Sequence, residues 1–572
     1  MKYRSSTVRG FLLTTLFAAS AGMAAAPETD RWLIEAVRRG DASTVKALLR
    51  DRVPVDAPSG DGSTALHWAA HEENLAVAKQ LLAARADVTV TTRLQGLTPL
   101  MMACQTGNAA MIELLIKHGA NPNQPNAQGT TPLMMAAASG SAKAVDVLVK
   151  SGAQVDAREG VRDQTALMFA ASLDRADAIR TLIAHGANAE LASKVIPATR
   201  YERPRNAPMP MEEEDPADAE KNKLEKAKAQ AANKGTTAAV LVPVTADERA
   251  AAQKRRRERE AQQMGGYTAL LYAARQGNVA ATRALLDGGA KIDQPSGSEQ
   301  TTPLLFAIHN GHYDVARVLV DRGADVNKVN AMGLAPLYAT VDVQWAPHQW
   351  SPEPVVAQEQ TDYLTLMKLM IDRGADVNAR LGRYPWFRTL TQSRTWAETA
   401  GSTAFWRAAW ALDLKAMELL KAAGADTALP TNDGTTPLMA AAGVGWAANY
   451  STTAASRMEA VKFTLANGGD VTTQDKLGFT ALHGAGFVAD LELIQFLVDL
   501  GAKADVKTKA GDYPADSANG PFEKSLPHPE AVALLEKLGS PNSHNCRSSD
   551  CVPPVKEEKP VVAAAAQKKP AG

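Results

Sequence analysis

The chain has 572 residues, with 62 basic and 62 acidic side chains, so its formal net charge is zero. That length exceeds what one hydrophobic core sustains, which leaves several domains or a repeat array. A neutral balance offers no basic face for nucleic acid and no pull toward an anionic membrane surface.

The first 26 residues stand apart from the rest. Lys2, Arg4 and Arg9 precede the apolar run FLLTTLFAASAGMAAA. A basic region, a short apolar core and small residues near its end form a secretory signal layout. Cleavage is predicted after Ala21 or Ala24, because a cut after Ala26 would set Pro27 beside the scissile bond. The run is short for a bilayer span, and no later segment is long and apolar enough to cross a membrane. The mature chain is therefore expected to be periplasmic or secreted, with no integral membrane segment.

After it, the cap-like stretch DRWLIEAVRRGDASTVKALLRDRVPVD leads into a repeat. DGSTALHWAAHEENLAVAKQLLAARADV starts at Asp61 and QGLTPLMMACQTGNAAMIELLIKHGANPN at Gln95. QGTTPLMMAAASGSAKAVDVLVKSGAQVD follows from Gln128, and DQTALMFAASLDRADAIRTLIAHGAN from Asp163. The threonine that opens each unit falls at 64, 98, 131 and 165, then at 268 and 302. Ala335 takes its place once, and Thr403, Thr436 and Thr480 continue the series toward a degenerate last copy near Tyr513.

Each part of the pattern has a physical reason. Threonine caps the first helix, and proline is tolerated in its first turn. The paired alanines let neighbouring helices approach closely. The glycine of HGAN, SGAQ and RGAD ends the second helix, where a left-handed residue is needed. One such unit cannot bury its own apolar face, so the units must stack.

These motifs resemble the ankyrin repeat, over most of residues 31–540. The resemblance implies an all-α solenoid of stacked helix–turn–helix units with short β-finger loops. The layout expected is a signal peptide over 1–26, N-terminal repeats with their cap over 27–195, and a charged insertion over 196–263. C-terminal repeats with aromatic insertions and a cap follow over 264–540, then a disordered tail over 541–572.

Several tempting chemistries fit the repeat better. His67 and His71 share a helix face at metal-ligand spacing, but His67 is the motif histidine and no acidic partner lies between them. The column Trp68, Met102, Met135, Phe169, Tyr272 and Phe306 recurs at one repeat position and is predicted to be core. Trp406 stands at the motif-histidine position and reads as its replacement, and Leu419 reads as core. Cys104 reads as a small buried hydrophobe, while Cys546 and Cys551 could close a small disulfide loop in an oxidising compartment. No phosphate loop, dinucleotide fingerprint or nucleophile elbow occurs in the context it requires, so neither catalysis, a cofactor nor a metal is expected.

The informative residues are those the repeat does not explain. Seven of the nine tryptophans fall between 345 and 446. Most lie in insertions at roughly 342–360, 383–400 and 444–456. Trp345, Trp350, Trp386, Phe387, Trp396, Trp410, Trp446 and Tyr450 are therefore the expected binding residues, since aromatic side chains anchor interfaces. Trp410 follows the alanine pair, at a position expected to face the concave side.

The resemblance implies a non-catalytic scaffold that holds a protein partner through finger loops and inner-helix surfaces. Similarity to exported bacterial multi-ankyrin proteins adds a co-exported enzyme as one partner to consider. Stacking of the tryptophans on carbohydrate or peptidoglycan is the alternative, and an enzyme site hidden in the insertions is the third reading.

Overall fold

The computed structural model describes residues 28–197, 263–346, 356–382, 399–446, 456–520, 526–544 and 546. The expected signal peptide, most of the tail and most of the charged insertion lie outside the described residues.

The described chain is helical apart from short loops and one strand pair, and it divides into two compact units. The first comprises residues up to 161 together with 184–186, and the second comprises 162–183 and everything from 187 onward. Four helix pairs build the first unit: Glu28–Arg38 with Ala42–Arg50, Ala65–His71 with Leu75–Ala83, Pro99–Thr106 with Ala109–Lys117, and Pro132–Ser139 with Ala142–Lys150. The leading helix of each pair packs on its neighbours' leading helices, and the trailing helices pack likewise, which gives each unit two helical layers.

The sequence dictates these elements locally. Thr98 Oγ1 accepts from the Met101 N–H at 3.3 Å and so caps the helix that Pro99 begins. Asn108 Oδ1 accepts from Met111 N–H at 3.0 Å and caps the next one. Gly119 then takes a φ of +96°. A side chain there would meet nothing within 4 Å, so the left-handed turn alone calls for glycine. The alanine pairs, such as Ala69–Ala70 and Ala136–Ala137, are fully buried where adjacent helices meet.

The finger loops are joined by a recurring backbone hydrogen bond. In the first unit it runs from Arg93 N to Asp61 O, from Ala127 N to Gln95 O and from Gly160 N to Gln128 O. In the second it runs from Ala331 N to Glu299 O, from Asn432 N to Ala400 O and from Lys509 N to Leu477 O. Gly129 shows why the tip cannot carry a side chain, since a Cβ there would come within 2.5 Å of the Gly160 nitrogen.

Among the described residues, eight helix pairs follow, from Ala166–Ser172 with Ala176–Ala184 to Pro514–Ala518 with Pro529–Lys537. Three of them matter for the site: Pro336–Gln344 with Tyr363–Asp372, Ala404–Trp410 with Leu414–Ala422, and Pro437–Ala442 with Arg457–Ala466. The edges of the charged insertion are ordered as strands. Val195–Pro197 pairs antiparallel with Gln263–Gly265, with Ile196 opposite Met264.

Two expectations about the core need correction. Leu420 is the fully buried leucine of its helix, and Leu419 is only half-buried. In the apolar column, Tyr272 and Phe306 are buried, but Trp68, Met102, Met135 and Phe169 are half-buried. The difference has a local cause. Tyr267 packs edge-on against both Tyr272 and Phe306, with ring centroids 5.7 and 5.2 Å away.

Candidate functional site

The repeat position after the alpha-helical cap carries a side chain that reaches the next unit. His67 shows the ordinary form. Its Nδ1 accepts from the Thr64 N–H at 3.1 Å, and Nε2 lies 2.9 Å from the Leu97 carbonyl, just before the next capping threonine. Both ring nitrogens are thus committed within the protein, and the neighbouring His71 is left with the edge of Trp68. Among the described residues no group of His, Cys, Asp and Glu is arranged to hold a metal.

The same connection persists in the insertion-bearing repeats with different chemistry. Trp406 Nε1 donates to the Thr435 carbonyl at 2.9 Å, one residue before Thr436. Tyr338 accepts from Ser402 Oγ at 3.1 Å, one residue before Thr403. His483 Nε2 reaches the Asp512 carbonyl at 3.4 Å, and burial pushes its imidazole down to about 4. Trp406 therefore reproduces the inter-repeat bond of the motif histidine, and only the histidine also accepts from its own capping N–H.

A buried polar knot starts one residue further along. Arg407 occupies the column that holds Trp68, Met102 and Met135 in earlier repeats, and it is 1% exposed. Its Nε donates to Asp342 Oδ1 at 2.8 Å, and its Nη2 donates to the Trp345 carbonyl at 2.7 Å. The guanidinium carbon also lies 5.3 Å from the centre of the Trp410 ring. Ala339 and Ala440 fill the same column in the flanking repeats, and those small side chains leave room for the large ones.

Asp413 forms the second half of the knot and is also 1% exposed. Its Oδ1 accepts from the Ala416 N–H at 3.1 Å and caps the helix Leu414–Ala422. Its Oδ2 accepts from Trp345 Nε1 at 2.7 Å and from the Tyr363 hydroxyl at 2.8 Å. Burial, followed by the adjacent carboxylate, holds the Tyr363 phenol well above its ordinary range. Trp345 and Tyr363 meet edge to face, 6.2 Å between centroids. Charge-assisted bonds of this kind are the strong ones, and a carboxylate with three donors is well satisfied in the interior.

The knot ties down the point where the first insertion leaves, and separate bonds hold its return and that of the third. Trp345 caps the end of the helix Pro336–Gln344, where the first insertion leaves. Where that insertion returns, Glu359 Oε2 accepts from Asp314 N–H at 2.8 Å. The N–H groups of Gln360 and Thr361 in turn donate to Asp314 at 3.0 and 2.8 Å. Burial would raise the Asp314 carboxyl, but these bonds outweigh it and hold it below the ordinary value. After the third insertion, Ser456 and Glu459 form a reciprocal cap. Arg457 Nη1 donates to the Ala441 carbonyl at 2.7 Å, and burial lowers its guanidinium to about 10.

The placement of the expected binding residues is uneven. Trp345 is half-buried, and Arg407 links it to Trp410. Trp410 is 3% exposed and packs on Trp406 at 5.3 Å, beside Ala440. It serves the interior rather than a free concave surface. Trp446 is half-buried, with its N–H donating to the Gly443 carbonyl at 3.1 Å. Trp350, Trp386, Phe387, Trp396 and Tyr450 lie outside the described residues. Cys104 is a buried free thiol that burial raises well above its ordinary pKa. The pairing expected of Cys546 with Cys551 falls on a residue outside the described ones.

Arg407, Asp342, Asp413 and Tyr363 were not legible as a site from the sequence. The available signal was a charge in a column that is otherwise apolar or small. The acids of this region that are described have structural partners. Asp362 caps its helix through the Thr365 N–H, Asp372 pairs with Lys368, and Asp376 accepts from the Asn378 N–H.

The helix pairs, capping threonines and linked finger loops define an all-α ankyrin-repeat solenoid, a class of scaffold that generally mediates protein–protein contact and typically lacks catalysis of its own. The family model for "Ankyrin repeats (3 copies)" matches residues 12–92, 84–159, 125–194 and 229–330, so the chain carries ankyrin repeats. Similarity extends to Ankyrin repeat and SOCS box protein 11 of Danio rerio, which is 37% identical over 95 residues. That match covers 17% of this chain and 32% of the relative's length. Among the described residues, no helix is long and apolar enough to cross a membrane.

Proposed function

We propose that this protein is an exported, non-catalytic scaffold that holds a protein partner, with recognition concentrated on the repeats between 336 and 466. The observation that carries this reading is the knot of Arg407, Asp342, Asp413 and Trp345. Burying two carboxylates and a guanidinium is costly unless each is fully bonded, and such groups serve to specify one arrangement. Here they fix the point where the first aromatic insertion leaves its repeat, and a fixed root reduces the ordering cost of binding. Export rests on the signal layout of residues 1–26. The partner we favour is a protein delivered to the same compartment.

The test is a paired expression in a bacterial host, with and without residues 1–26, followed by fractionation and crosslinked capture from the envelope. The reading predicts a shortened chain in the soluble envelope fraction with a specific protein attached. Retention of Met1 on cytosolic material, or capture of nothing above a control repeat protein, would overturn it.

A further inference from the structure

The trailing helices of the first unit carry their charges in two different ways. At matching positions, four residues apart, the third and fourth of them hold an acid and a lysine. Glu113 pairs with Lys117 at 2.8 Å, and Asp146 pairs with Lys150 at 2.7 Å. The first trailing helix, Ala42–Arg50, holds Lys46 and Arg50 at those positions and contains no acid. Among the described residues neither cation has a hydrogen-bond or ion-pair partner for its side chain. Asp41, which precedes the helix, accepts from the Ser43 and Thr44 N–H groups at 3.1 and 3.0 Å. The exposed Asp51, which closes it, pairs with neither cation. Like charges one helical turn apart repel, so this helix lacks the acid that the later ones supply for themselves.

Lys46 and Arg50 also border a groove of about 390 Å³ between this helix and Leu75–Ala83. Leu49, Ala83 and Ala84 give it an apolar lining, and Gln80 completes it. The Gln80 Oε1 is shielded from water and has no hydrogen-bond partner among the described residues. An acceptor left in that state costs free energy until a donor reaches it. The groove thus combines two unpaired cations, an apolar lining and one unmatched acceptor. A peptide segment with an acidic side chain matches all three, through its carboxylate, its methylenes and a backbone N–H.

We propose that the groove between Ala42–Arg50 and Leu75–Ala83 takes an acidic side chain, aspartate or glutamate, presented on an extended segment of a protein partner. The carboxylate does for Lys46 and Arg50 what Glu113 does for Lys117. The site rests on the scaffold reading above and adds a contact on the trailing layer, away from the finger loops and leading helices. An anionic bilayer is the other source of negative charge. The chain carries no net charge to draw it there, and the cations border a recess rather than a flat face.

The experiment uses the full chain and a rhodamine-labelled hexapeptide, Leu-Glu-Glu-Leu-Asp-Gly, read by fluorescence anisotropy. Its amide counterpart, Leu-Gln-Gln-Leu-Asn-Gly, is the neutral control. Saturable binding of the acidic peptide is expected, with none of the control. Lys46→Gln with Arg50→Gln should weaken that binding about tenfold or more, the loss expected when charged hydrogen-bonding partners are removed. Lys117→Gln with Lys150→Gln removes the same charge from the matching positions of the later helices and should leave the affinity unchanged. Circular dichroism reports the helicity of each variant. Should the first pair unfold, Lys46→Glu replaces it; this change restores the acid–cation pair of the later helices and must abolish binding. Equal losses in the two double variants, or a control peptide that binds as tightly as the acidic one, overturn the groove. So does binding to phosphatidylserine vesicles that depends on Lys46 and Arg50 while the acidic peptide fails to bind. A chain that binds the acidic peptide through these residues but captures no partner sinks the scaffold reading alone. Partner capture without peptide binding sinks the groove alone.

Discussion

The repeat that starts at Thr98 and the one that starts at Thr403 share a length, a fold and a capping scheme, yet they are held together differently. In the first, the inner column is apolar: Thr98 and Asn108 cap their own helices, and Met102 fills that column. In the second, the same column holds Arg407, and Asp413 caps its helix while also accepting from Trp345, 68 residues away. Such a repeat depends on apolar packing and a few short polar bonds to its nearest neighbours, as in any one-dimensional array. Long-range buried charges instead bind particular repeats to each other. The lesson is that an insertion-bearing repeat needs a stronger foundation than a plain one.

The largest expected effect separates the two columns. Arg407→Met should destabilise the second unit by about 3–5 kcal/mol, because Asp342 is left buried without its counter-ion. Met102→Ala, at the matching position, should cost about 1–2 kcal/mol, since that side chain is only half-buried. Urea unfolding read by tryptophan fluorescence and by hydrogen exchange distinguishes local from global loss. The double change Arg407→Met with Asp342→Leu should recover much of the stability, and a failure to recover would show that the pair does more than satisfy itself.

A middle-sized effect contrasts His483 with Trp406, which make the same inter-repeat bond. Burial depresses the folded-state pKa of His483 from 6.5 to about 4. Above 6.5 both states hold a neutral ring, so pH has no effect through this group. Between 6.5 and 4 the unfolded chain takes up a proton and the folded chain does not, so stability falls as pH falls. Across the window the loss is roughly 2–4 kcal/mol. His67 is lowered by burial too and adds a contribution of the same sign. Denaturation midpoints at pH 7.5 and 4.5, for the parent and His483→Gln, should show a smaller pH slope in the variant. Trp406 carries no titrating group, so its own inter-repeat bond should add nothing to that slope.

The smallest effect concerns Trp345. Trp345→Phe keeps most of the ring but removes the indole N–H that Asp413 accepts, and should cost about 1–2 kcal/mol. Thermal unfolding that is unchanged within error would mean the knot does not depend on that bond.

Much of the fold was legible because it is written locally. Thr98, Thr131 and Thr436 each cap a helix that the sequence pattern starts at the next residue. Gly119 and its equivalents mark helix ends through backbone conformation alone. The candidate site was less legible. Trp345 and Asp413 lie in different repeats, and their pairing depends on the stacking that brings the end of one helix beside the start of another. Trp410 was expected at a free surface, but Ala440 in the next repeat is small enough to let it sink into the interior. The strand pair at Val195–Pro197 was also missed, because its two halves are separated by the whole charged insertion.

The most direct test of the account compares two sets of tryptophan changes for partner capture and for stability. Trp350, Trp386 and Trp396 are replaced together by alanine in one variant, and Trp410 alone in another. Quantitative recovery of any protein captured with the parent chain and the thermal midpoint are measured for both. The account predicts at least about tenfold lower recovery for the triple variant with a midpoint near that of the parent, as for interface anchors. It predicts the reverse emphasis for Trp410→Ala, a loss of about 3–5 kcal/mol in stability, as for a buried aromatic. A triple variant that recovers the partner in full while its midpoint collapses would contradict the account, because the insertions would then be packing rather than recognition.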